Sequence, residues 1–217
     1  QDPLDAALSP LPVPRWFGLP ATRIAQRTLL VTRRNPSRLS FLLVPVIVLG
    51  SVLVNVGRGG GLLALLPPLF AVFVPWLSGA AAGLNPLGDE GSVLPATLTS
   101  LADGRQYVRG LVLPGLFVGL PLTVLSTGVA AAFSPFDTLP LAALVALSGV
   151  LAALTAAVAP AIGITFPRFD PVRVSSEREV VPPSLSAVVL YSLFVGLTGG
   201  IAAAAVLAPG LTRGLTA

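Results

Sequence analysis

The side chains equipped for chemistry are few. Histidine and cysteine are both absent, which excludes thiol nucleophiles, disulfides, haem ligation through His and the usual zinc sets. Hydroxyls at Ser126, Thr127, Thr155, Ser192 and Thr198 sit in long apolar stretches with no visible base partner, so their expected role is helix hydrogen bonding and not nucleophilic attack. No Gly-x-x-x-x-Gly-Lys loop occurs, so splitting ATP by that route would fall to another protein or domain. An enzyme is not expected, nor is a cofactor or a metal.

The one polar segment with an ordered pattern is the loop that opens Asn85-Pro86-Leu87-Gly88-Asp89-Glu90-Gly91-Ser92 and continues Val93-Leu94-Pro95-Ala96-Thr97-Leu98. Ser92 is placed to cap a short helix carrying Val93, Leu94 and Leu98, and Asp89 and Glu90 suit the positive N-terminal end of that helix. Such an amphipathic helix below a membrane is a docking element; a purely structural loop is the competing reading.

The elements that must carry this loop are hydrophobic. Apolar residues make up 54% of the chain and charged residues only 10%, too few polar atoms to cover a water-soluble surface. Five windows have the roughly 20 apolar residues that a helical span requires: 39–56, 62–84, 110–133, 139–166 and 184–208. The fold class is therefore an all-α, polytopic transmembrane bundle. Pro67-Pro68 places the start of the second helix near Pro68, because proline removes a backbone donor and clashes with the preceding turn. None of the windows holds a charge, which weighs against a proton- or sodium-driven carrier.

Arginine sets the orientation. The chain has thirteen basic residues, all Arg, and a formal charge of +4. Arg15, Arg23, Arg27, Arg33, Arg34 and Arg38 precede the first window, Arg105 and Arg109 follow the second, and Arg168, Arg173 and Arg178 follow the fourth. Only Arg58 and Arg213 fall on the other side. Positive residues near spans stay in the cytoplasm, so a multi-pass protein of the cell membrane with a cytoplasmic N-terminal side is expected. The charge excess reports orientation, and nucleic acid is not an expected partner.

The remaining organisation is an extended, Pro-rich linker over 1–20, an interfacial helix within 21–38, a transmembrane domain over 39–208 with the loop at 85–109, and a tail at 209–217. In the interfacial helix Arg23, Arg27 and Arg34 form one stripe and Ile24, Thr28 and Val31 another. Trp16 and Phe17 favour headgroup depth. A chain without Met that opens Gln1-Asp2-Pro3 is expected to be part of a longer protein.

Two further patterns concern packing. Gly79/Gly83, Gly115/Gly119 and Gly196/Gly200 are Gly-x-x-x-Gly pairs, each read first as packing within the chain and second as a dimer contact. Pro45, Pro75, Pro114, Pro121 and Pro160 bend helices, as a gated pathway or a static bundle would equally use.

The Glu90 loop resembles the stretch between the second and third spans of the type-2 permeases of ATP-binding-cassette exporters, prokaryotic branch. Glu90, Gly91, Ser92, Val93 and Leu94 match its beginning, and Leu98, Thr99, Ser100, Arg105, Val108 and Gly110 the remainder. Leu101 stands where proline is common, and Pro95 lies inside the presumed helix. Arg33 to Leu39 with Leu43-Val44-Pro45, and Gly163 to Asp170, are similar to other parts of that family. The resemblance implies six spans in a complete unit, a second membrane half or homodimer, contact with membrane lipid, and a separate ATPase docking on the Ser92–Leu98 segment. It also implies polar contacts to that ATPase from Glu90 and Arg105, and a contribution from the helix bearing Arg23, Arg27 and Arg34. An assembly protein without transport activity, or an ion-coupled carrier, are the alternatives.

Overall fold

The computed structural model describes residues 18–91, 95, 103–175 and 178–214. Helix α1 (Leu19–Arg34) ends where Pro36 forces Asn35 out of the helical region, to φ −128° and ψ 75°. A 3₁₀ segment (Pro36–Leu42) then runs directly into α2 (Leu43–Arg58). Next come α3 (Leu62–Gly83), the short α4 (Pro86–Glu90) and α5 (Gly104–Pro114). A π-helical segment (Gly115–Gly119) joins α5 to α6 (Leu120–Ala132), and α7 (Thr138–Thr165) follows. Strands β1 (Val172–Ser175) and β2 (Arg178–Val180) pair antiparallel before α8 (Leu185–Gly214).

Five of these helical stretches are long and apolar enough to cross a membrane: Pro36–Arg58, Leu62–Gly83, Gly104–Ala132, Thr138–Thr165 and Leu185–Ala208. The chain is a multi-pass, all-α membrane protein whose apolar exterior meets lipid. Exposed Leu125, Val150, Leu193 and Ile201 show the pattern, since large aliphatic side chains cover the outside of the bundle.

Three boundaries and one element differ from the sequence expectation. The second span starts at Leu62, upstream of Pro67 and Pro68. Those prolines remove donors to carbonyls of the first turn only, where water at the membrane edge can serve them. The third span begins at Gly104, so Arg105 and Arg109 lie on the helix itself. The last helix passes through Pro209 to Gly214 in place of a separate tail, because one proline costs one backbone bond without ending the helix. The short hairpin β1–β2 occupies part of a stretch in which no strand is expected.

Helix α3 is the central element. It packs most extensively on α7, and also on α6 and α8. Glycines allow the close approach: a Cβ on Gly79 would collide with Tyr191 Oη and lie 2.9 Å from Thr155, one on Gly83 would lie 2.6 Å from Pro160 Cγ, and one on Gly163 would lie 2.7 Å from the Gly83 and Leu84 backbone. Gly115 and Gly119 are likewise filled from outside, by Ala156 and Ser78. The Gly79/Gly83 and Gly115/Gly119 pairs therefore serve internal packing. The Gly196/Gly200 pair does not, as among the described residues nothing outside the helix's own backbone would lie within 4 Å of a Cβ at either position.

The core joins Leu42, Trp76, Ala80, Leu84, Ala159, Ala187, Tyr191 and Val195. Polar atoms inside it are mostly paired, as a medium without water demands. Tyr191 donates to the Trp76 carbonyl at 3.0 Å, and Trp76 Nε1 donates to Ser192 Oγ at 3.0 Å. Ser126, Thr155 and Thr198 donate to carbonyls of their own helices. Thr123 and Thr127, one turn apart, are buried with no partner for their hydroxyls among the described residues.

Candidate functional site

The polar centre of the molecule is the turn Asn85–Glu90, at the end of α3. Pro86 starts α4 with its fixed φ and its missing donor costs nothing there. Three side chains of this short element each hold a different segment of the chain.

Asn85 holds the connection between the fourth and fifth spans. Its side-chain N–H donates to the Arg168 carbonyl at 3.0 Å, while its Oδ1 accepts from the Arg168 N–H at 3.2 Å. The carbonyls of Val181 and Pro182 lie 3.5 and 3.4 Å from the same amide nitrogen. Asn85 is buried, so these bonds satisfy groups that water does not reach. Gly88 permits the approach, since a Cβ there would collide with the Arg168 carbonyl and with the Asn85 side chain.

Glu90 holds α1. Arg27 Nη1 reaches both carboxylate oxygens at 2.5 Å, and the two side chains are 43% and 7% exposed respectively. Asp89 holds the 3₁₀ segment through Arg38. Burial raises Asp89 from 3.8 to about 6; Arg38 pulls the other way, and neighbouring Glu90 adds to the rise. A cavity of about 20 Å³ lies between the two ion pairs, lined by Arg27, Arg38, Asp89 and Glu90 among others, enough for one water with several polar partners.

α1 itself is seated by its small side chains. Ala21 and Ala25 are fully buried and pack with Leu113, and Ile24 occupies the space left by Gly110. Arg23 and Arg34 stay exposed, whereas Arg27 of the same stripe turns inward to Glu90. Arg105 is exposed on the first turn of α5. Gly91 adopts φ +52° and ψ −127°, a conformation open to glycine and strained for other residues. Ser92, Val93, Leu94 and Leu98 lie outside the described residues.

Of the residues expected to form the site, Glu90 and Arg27 are brought together, from positions 63 residues apart. In this structure each is the other's ion-pair partner. Asn85, Asp89 and Arg38 complete the cluster and were not singled out as site residues. The Asn-Pro step at 85–86 marks a turn, but nothing local marks a partner 83 residues away. Among the described residues no group of three or more Asp, Glu, His or Cys could hold a metal ion. No protein-family profile, curated protein or solved structure matches the chain.

Proposed function

We propose that this chain is the membrane-spanning permease part of an ATP-driven exporter, with the arginine-bearing end in the cytoplasm and a separate ATPase docking on Ser92–Leu98. The positive-inside rule supports the orientation, and the Glu90-Gly91-Ser92 resemblance supports the class. The observation that carries the mechanism is the triple fastening at Asn85–Glu90. α1, the 3₁₀ entry to the first span and the 166–184 connection are all tied to the turn that immediately precedes the docking segment. A push on that segment would thus be felt by several spans at once, which is the differential contact that coupling between nucleotide state and bundle conformation requires.

Purification from native membranes tests this. An ATPase with nucleotide-binding motifs should copurify and be lost in Leu94→Arg and Leu98→Arg. Replacing Glu90 and Gly91 should leave insertion intact and uncouple hydrolysis from transport. Normal coupled transport in those variants, or a complex lacking any ATPase, would defeat the reading. One observation favours the alternative of an assembly protein: the open Gly196/Gly200 strip on α8 is a surface on which another helix could pack closely. A stable complex through that strip with no nucleotide dependence would support it.

A further inference from the structure

The first span stands apart from the bundle. α2 touches α3 only lightly, and no residue of α2 is buried. Between it and the rest of the molecule runs an open-sided groove of about 370 Å³, within the roughly 300–1,000 Å³ range of ligand sites. One rim is Leu43 and Val46 of α2, and the other is Val118 and Leu122 of the third span. Both rims belong to helices of membrane-crossing length, so the groove opens sideways into the bilayer.

Its walls are almost wholly apolar. The few hydroxyls are spent internally: Thr28 donates to the Ile24 carbonyl, Thr32 to that of Thr28, and Ser78 to that of Pro75. A sugar, peptide or ion would find no free donor there, and burying its polar groups would cost several kcal/mol each. An acyl chain has no such groups. The groove also has a charged end. Thr32 and Leu39 both line it, and the chain between them carries exposed Arg33 and Arg34. No acidic side chain pairs with either arginine among the described residues.

We infer that this groove binds one acyl chain of an anionic phospholipid, drawn from the leaflet at the arginine-bearing end, with the phosphate against Arg33 and Arg34. The inference stands independently of any ATPase. The groove wall also includes Val118 and Gly119 of the π-helical segment and Pro114 just before it, so any change in that segment would alter the lipid site directly.

The test uses the full chain in phosphatidylcholine vesicles doped with phosphatidylglycerol carrying a photoreactive group on one acyl chain, or with phosphatidylcholine carrying the same chain. Phosphatidylglycerol adducts should concentrate on groove residues such as Leu43, Leu77 and Val118. Val118→Trp and Leu122→Trp, each filling the groove from an exposed position and each checked for monodisperse elution, should reduce them several-fold. Arg33→Gln and Arg34→Gln should each lower phosphatidylglycerol labelling by about fivefold while leaving phosphatidylcholine labelling unchanged. The inference is overturned by adducts spread evenly over Leu125, Val150 and Leu193. It is equally overturned by equal labelling with the two lipids, or by cross-links showing that a second copy of the chain fills the groove.

Discussion

Arg27→Gln should destabilise the protein far more than Glu90→Gln, although the two residues share one ion pair. The asymmetry follows from burial. Glu90 is 7% exposed and Arg27 43%, so removing the arginine takes the compensating charge from a carboxylate that water hardly reaches, whereas removing the carboxylate leaves a guanidinium that water can solvate. At a charge separation near 4 Å and an effective dielectric of 20 the attraction is about 4 kcal/mol. Breaking a buried pair from its exposed side costs about 3 kcal/mol, the low end for such pairs because Arg27 is partly solvated. Glu90→Gln retains a hydrogen-bond acceptor for Arg27 and should cost about 1 kcal/mol. Adding Glu90→Gln to Arg27→Gln should therefore recover stability, an unusual sign for a second substitution. Equilibrium unfolding in mixed micelles of rising SDS fraction, followed by near-ultraviolet circular dichroism, reads all four states of the cycle. Equal costs for the single variants, or strict additivity in the double, would refute the assignment of a buried, compensated carboxylate at the end of α3.

Other outcomes follow from neighbouring contacts. Asn85→Ala leaves the backbone N–H and carbonyl of Arg168 without their partner, so it should cost about 2–3 kcal/mol and open the 166–184 connection to limited proteolysis. Gly163→Ala places a methyl against the Gly83 and Leu84 backbone and should cost about 3 kcal/mol or abolish folding, while Gly196→Ala and Gly200→Ala, with open space around them, should stay within about 0.5 kcal/mol of the parent in the same unfolding assay. Asp89 holds a proton when folded that it would release when unfolded between about pH 4 and 6, so its contribution is complete below pH 4 and falls as pH rises to 6. The side chain keeps 26% of its exposure, which reduces the expected change to the order of 1 kcal/mol; Asp89→Asn should flatten that part of the stability–pH curve.

The spans were legible because each is a long apolar run, and a hydrophobic signal of that length survives several prolines. The cluster around Asn85 was not. Its bonds join residues 51 to 97 positions apart, and the sequence marks each partner only as an ordinary polar loop residue. The buried face of α1 was hidden for a different reason. Ala21 and Ala25 carry little hydrophobicity, so the pattern pointed to Ile24, Thr28 and Val31; Ile24 does seat on Gly110, but beside it the contact with Leu113 is made by small side chains. The π-helical segment at Gly115–Gly119 had only its flanking prolines as a cue, and those occur equally in helices that merely bend.

The central claim is that the arginine-bearing segments share one side of the membrane, where Asn85–Glu90 binds them together. The absence of cysteine makes single-cysteine labelling clean. In sealed vesicles of one orientation, Arg34→Cys, Arg105→Cys and Arg173→Cys should react with an impermeant maleimide from one face, and Arg58→Cys and Asp137→Cys only from the other. Labelling of Arg34→Cys and Arg173→Cys from opposite faces would contradict the account.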